Sequence, residues 1–411
     1  MAGLAFVLSF ALIEFDTMVS AEWINKLGWL YFSGPEGARA ILSVIASSMI
    51  TVAGLTFSIT MLTLQLASSQ FGPRVLPNFM RDRGNQIVLG TFIATFVYCL
   101  LVLRTVRGTE GSSFVPHLSV AVGVLLALAS IGVLIYFIHH VATAIRIESL
   151  LKTLADETHA TIDRLYPERI GRDSADIGPS CFDVPDTSPS DLILAETSGY
   201  VQRIDGDALM RIATEHDLVI YVETRPGRFV IEGDHVFRVQ SADRASKNVV
   251  GMLQGTFVLG QERTPAQDLE FSIHRIVEIA QRALSPGVND PTTALYCIDR
   301  LAEAFGRLAT RYIPAPMRFD KESHLRIVTE VFSVDKLACP AFAAIARYGI
   351  ADADVVRRLI NTMKSLERAV PQLTTMIEEI GCESKHRLSL SFDRHAIHEP
   401  SKPTPGPERD S

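Results

Sequence analysis

Three stretches of this 411-residue chain hold no Lys, Arg, Asp or Glu: residues 40–73, 84–103 and 111–145. They run to 34, 20 and 35 residues in a chain of which 21% is charged. A core helix of a soluble protein keeps a face to water and has no reason to lose every charge. A helix in hydrocarbon has one, since a charge at the bilayer centre costs about 3 kcal/mol or more. The pattern excludes a wholly soluble protein and places a membrane region in residues 1–145. Residues 1–139 carry seven basic and six acidic side chains, whereas residues 140–411 carry 32 and 40. The second part is mildly acidic and lacks the basic face that a phosphate backbone requires. Nucleic acid is therefore excluded as its main partner.

The blocks predict spans at about 41–65, 87–103 and 118–138, with Trp29 and Tyr31 as interfacial residues before the first. The first block as one helix would run ~51 Å against a ~30 Å hydrocarbon core, so part of it tilts or projects. Gly72-Pro73 is its natural stop. The apolar run Ala2–Ile13 is short and lacks the basic flank of a signal peptide. It reads as the second half of a span, about residues 1–15, whose beginning lies upstream of Met1. Four crossings put both termini on one side, with Arg74, Arg81 and Arg83 in a loop there and Arg146 and Lys152 following. Lys26, Arg39, Arg104 and Arg107 fall opposite. That bias predicts a membrane protein with a cytoplasmic C-terminal region. Five cysteines without CxxC or zinc spacing agree with a reducing compartment.

The first long span carries a pattern of its own. Ser47, Thr51, Gly54, Ser58, Met61, Gln65 and Ser68 recur at alternating steps of four and three, a heptad seam of mostly small or polar residues. In lipid such a seam packs against another helix or faces water in the middle of an oligomer. Polar residues facing lipid are costly, so the seam faces protein or water either way, and a homo-oligomer in the lipid bilayer is expected.

The fold class expected is an α+β membrane protein: an N-terminal transmembrane helical bundle, then a small β-barrel or sandwich and an α-helical subdomain. Residues 146–190 read as a connector helix to about Tyr166 and a linker. Residues 191–260 hold short strands broken by Gly and Pro, as in Tyr200–Ile204, Leu218–Thr224 and Val236–Val239. Their phrasing resembles biotinyl- and lipoyl-type barrel-sandwich modules, but no Lys lies between Lys152 and Lys247 to serve as an attachment site. Residues 261–382 read as mainly helical: Pro265–Leu284, Pro291 to about Tyr312, Asp335–Tyr348 and Asp352–Ile380, with a strand at 324–332. Residues 383–411 are polar and Pro-rich and read as a disordered tail.

Three stretches carry a family likeness: GLTFSITMLTLQLASSQFGPRVLPNF (54–79), LGTFIATFVYCLLVL (89–103) and ALSPGVNDPTTALYCIDRL (283–301), the last preceded by Arg263 and Asp268. In these the chain resembles a family of bacterial predicted membrane proteins known as a domain of unknown function. The resemblance implies four spans and a soluble C-terminal half. It brings no catalytic residue, substrate or cofactor with it.

No phosphate loop, GxSxG, HExxH or EF-hand loop is present, and no cofactor is expected. The remaining motif is the elbow Ser285–Pro291. Ser285, Asn289, Asp290 and the amides of Thr292 and Thr293 can bind a ligand at a helix start, or simply build a tight joint with Asp290 as N-cap and Pro291 after it. His274 adds a titratable group if a helical hairpin brings it near Asp290. His139-His140 and the tail histidines His386, His395 and His398 form no fixed metal set, so no metal site is expected. The functional expectation is a channel-like or transport-associated oligomer with a regulatory soluble domain. A membrane-anchored scaffold and an enzyme using the elbow are the alternatives.

Overall fold

The computed structural model describes residues 1–18, 34–72, 83–109, 112–144, 146–166, 190–241, 246–330 and 332–396. Trp29, Tyr31, Pro73, Arg74, Arg81, Cys181, His398 and the linker 167–189 lie outside them. The chain forms two compact units, residues 1–150 and 151–411.

The first unit consists of α1 (Ala2–Met18), α2 (Gly34–Phe71), α3 (Arg83–Thr105), the hairpin strands β1 (Arg107–Thr109) and β2 (Ser112–Phe114), and α4 (His117–Ala144). Among the described residues α2, α3 and α4 are long and apolar enough to cross a membrane. No more than 33% of any span's most apolar stretch is buried within the chain. Val44, Leu55, Leu62, Leu128 and Ile135 stay exposed, a surface suited to hydrocarbon and unsuited to water. The helices meet through small residues against large ones. Ala38, Leu42 and Ala46 of α2 pack with Tyr98, Cys99 and Val102 of α3, and farther along Met49 and Ala53 pack with Phe92 and Phe137.

The expected first span is a helix of 17 residues, about 25 Å long. Its Met1 side chain lies against Gly90, and at its other end Asp16 is buried. That carboxylate accepts hydrogen bonds from the Leu118 amide (3.1 Å), the Ser119 amide (2.9 Å) and the Ser119 hydroxyl (2.6 Å). Asp16, on α1, thus caps a different helix, α4, and sits where free amides and the helix dipole favour negative charge. Tyr98 donates to the Ser119 carbonyl and Arg39 to the Val106 carbonyl at the same end.

The second unit opens with most of α5 (Ile147–Leu165). Two sheets follow. One has five strands in the order β3 (Ser190–Leu194), β7 (His235–Gln240), β5 (Val219–Val222), β10 (Leu325–Val328), β9 (Met317–Phe319). The other has three, β6 (Phe229–Val230), β4 (Gly199–Ile204) and β8 (Phe257–Gly260). Helices α6 (Gly206–Glu215) and α7 (Lys247–Gln254) help bury a core built on Ile193, Val201, Ile212, Ile220, Phe237 and Ile327. Of the expected barrel or sandwich, the barrel is not formed: the described strands lie in two sheets and close no barrel. The edge of β5 that closure would use is taken instead by β10, which arrives about 100 residues later and pairs parallel to it (Ile327 opposite Ile220).

The helical part holds α8 (Leu269–Ala283), α9 (Pro291–Ala309), α10 (Asp335–Gly349), α11 (Ala353–Leu366) and α12 (Leu373–Ala396). The single helix expected over Asp352–Ile380 is two, because Pro371 cannot donate to a continuing helix and restricts Val370 before it. The expected disorder from residue 383 gives way to helix as far as Ala396. Leu373, Ile380 and Ser384 are buried and anchor that helix.

Helix α5 is fixed by charge. Buried Arg275 meets Glu157 at 2.8 Å, and Asp163 receives Arg307 (2.6 Å) and Arg311 (2.5 Å). The Arg307 hydrogen bond, helped by both guanidinium charges, holds the Asp163 carboxyl below the usual carboxylate range. At Asp320, burial pushes the carboxyl up. The Arg326 hydrogen bond and the His324 amide outweigh it, so the net direction is down. A carboxyl depressed on folding stabilises above its unfolded pKa of about 4 and loses that contribution as pH falls through the folded value. Asp320→Asn is therefore expected to lower the melting temperature at neutral pH, with the gap to wild type narrowing below about pH 4. A gap that stays constant across that range would contradict the assignment.

Candidate functional site

The structure turns the seam of α2 away from its own bundle. Ser47, Thr51, Gly54, Ser58, Met61 and Gln65 are exposed and Ser68 partly so, while Ala46, Met49, Ala53, Thr56 and Ala67 on the other side are buried. The hydroxyls are satisfied inside the helix: Ser47 donates to the Val44 carbonyl, Thr51 to Ser47 (2.8 Å) and Ser58 to Gly54 (2.9 Å). The Gln65 amide has no partner among the described residues.

The elbow between α8 and α9 is a closed joint. Ser285 donates to the Arg282 carbonyl (2.7 Å), Asn289 takes the left-handed conformation at φ 50, and the Asp290 amide bonds the Ala283 carbonyl (2.7 Å). The Asp290 carboxylate accepts from the Thr293 amide (3.1 Å) and the Thr293 hydroxyl (2.6 Å), with Pro291 opening the helix. Thr292 is exposed beside it. His274 is not brought near: it precedes the end of α8 by nine residues, about 14 Å along the helix. Burial pushes the Cys297 thiol up, away from nucleophilic use. No three His, Cys, Asp or Glu converge on a metal position among the described residues.

A cleft of about 680 Å³ lies elsewhere in the second unit. It opens outside the carboxyl ends of β5 and β10, the one parallel pair among the described strands. The starts of α6, α8 and α10 border it, as does Tyr166 at the end of α5. The Tyr166 ring lies 4.7 Å from that of Phe332, and Ile204, Leu209, Met210 and Leu337 extend the apolar lining. Burial pushes the Tyr166 hydroxyl up and keeps it protonated. The rim is ionic: Arg225 pairs with Glu270 (2.9 Å) and Lys336 with Glu330 (3.5 Å).

One wall is set by Asp268, which is 3% exposed. It receives Arg263 through both Nε (2.7 Å) and Nη2 (3.0 Å), and caps α8 through the Phe271 amide (2.9 Å). Its carboxylate fills the space a side chain on Gly227 would need, and Gly227 has φ 90. The turn Pro226-Gly227 thus closes over Asp268. Arg263 and Asp268 stood out in the sequence only as part of a family likeness. The cleft itself was hidden, because its two central strands are separated by about 100 residues.

Residues 1–365 match the family described as "Predicted membrane protein (DUF2254)". Uncharacterized proteins of Mycobacterium bovis and Mycobacterium tuberculosis are each 34% identical over 363 residues, covering 87% of this chain and 68% of the relative. No solved structure matches. With three apolar helices of spanning length and a match over nearly its whole length, the chain belongs to the DUF2254 family of predicted membrane proteins.

Proposed function

We propose that the protein is an oligomeric, channel-like or transport-associated component of the bacterial inner membrane, with a cytoplasmic C-terminal region that regulates it. The exposed seam of α2 carries this reading. Ser47, Thr51, Gly54, Ser58 and Gln65 share a face that no described helix of the first unit covers. At the end of the expected span, the Gln65 amide keeps its hydrogen bonds against a second copy or water and loses them only where it is held in hydrocarbon. Helix α1 supports a fourth crossing, since it runs level with α3 from Gly90 to the start of α4. The enzyme alternative is weaker, as both oxygens of Asp290 are engaged by Thr293.

Two measurements test the reading. Ser58→Cys should crosslink between copies in native membranes; a monomer under saturating crosslinker would refute the assembly. In planar bilayers the wild type should conduct, and Ser58→Leu should lower unitary conductance severalfold. Crosslinking without conductance would leave the seam a packing surface and the protein a scaffold.

A further inference from the structure

We infer that the cleft at the carboxyl ends of β5 and β10 is a binding site for a small organic monoanion, a carboxylate on a flat apolar body. This stands apart from the membrane reading and rests on polar groups the fold leaves without partners.

The Thr224 hydroxyl is the first. Thr224 is 6% exposed, borders the cleft, and its oxygen has no hydrogen-bond partner among the described residues. A buried hydroxyl left unpaired costs about 1–3 kcal/mol; this oxygen is covered in the empty cleft, so a ligand reaches it only with a small shift of the Thr224 side chain. Arg318 is the second. It is half-buried at the cleft on β9 and forms no ion pair or hydrogen bond among the described residues. Every other cation of the lining is matched, Arg225 by Glu270 and Lys336 by Glu330, and the charge of Asp268 is taken by Arg263. The first turn of α10 adds amides with no side-chain cap, because Val334 occupies the capping position.

Charge decides the ligand's valence. The unpaired Arg318 guanidinium gives an anion one point of attachment, and the equally unpaired Asp207 carboxylate leaves the lining no net positive charge to hold a second negative charge. The rim acids Asp207, Glu270 and Glu330 would repel a phosphate dianion more than a carboxylate. The tilted Tyr166–Phe332 pair and the apolar floor take the body, for which a ring fits better than a polar sugar. The volume is that of an ordinary metabolite-sized pocket. Its place, outside the ends of parallel strands and beside helix starts, is where α/β sheets hold ligands.

The test uses the full chain in lipid nanodiscs, with 2-naphthoate as probe and empty nanodiscs subtracted. Calorimetry should show one saturable site per chain for 2-naphthoate. The isosteric cation 2-naphthylmethylammonium and inorganic phosphate should show none. Arg318→Gln should weaken 2-naphthoate about tenfold or more, and Thr224→Val about threefold. Arg318→Lys, which keeps the charge, should retain the preference for anion over cation and guards against a folding artefact. Equal binding of the two naphthyl ions, an unaltered affinity in Arg318→Gln, or no saturable 2-naphthoate binding would each overturn the proposal.

Discussion

Asp268→Ala is expected to destabilise the C-terminal unit by about 3–5 kcal/mol, the range for removing one partner of a buried ion pair. Three losses coincide at this residue. The Arg263 guanidinium, itself mostly buried, keeps its charge and loses both of its bidentate bonds. Helix α8 loses its N-cap at the Phe271 amide. The turn at Gly227 loses the group it closes over. Asp268→Asn retains an acceptor for the cap and should cost roughly half as much. Gly227→Ala should also destabilise, since its side chain would meet the carboxylate and its φ of 90 disfavours any side chain. Urea unfolding of the full chain, followed by a probe in the C-terminal unit, checks all three. A midpoint for Asp268→Ala within error of wild type would show that the pair contributes nothing.

Asp16→Ala is expected to cost the N-terminal unit about 2 kcal/mol or more, from a charged cap with three donors in a site sheltered from water. Ser119 would lose a partner for both amide and hydroxyl, and Leu118 one for its amide. Asp16→Asn should recover part of the loss, because an amide oxygen still accepts. Thermal unfolding in detergent should show the order wild type, Asn, Ala. Equal melting of all three would mean that water or lipid headgroups satisfy those amides instead.

Much of this architecture can be read from residue patterns. Charge-free blocks locate α2, α3 and α4, because hydrocarbon excludes charge along a whole helix. Asp290 marks a helix start and bonds an amide within that helix, whereas Asp268 caps α8 three residues after the expected start at Pro265. The elbow was legible down to Asp290 as N-cap with Pro291 behind it. What escaped the sequence is what depends on distant pairing. Nothing local marks residues 325–328 as the neighbour of residues 219–222, so a barrel looked plausible where β10 in fact takes the edge. Nothing local marks Asp16 as a cap, because its donors lie on another helix. The cleft was invisible for the same reason, being defined by Thr224, Arg318 and Tyr166 from three separate elements.

The cap on α4 also sets a timetable for biogenesis. Asp16 and its donors are separated by 102 and 103 residues. At synthesis rates of about 5–20 residues per second, the carboxylate exists for about 5–20 s before Leu118 and Ser119 are made. During that interval the α1 carboxylate lacks the amides that it caps in the folded unit. The cap on α4 is therefore completed only after α2 and α3 have been synthesised.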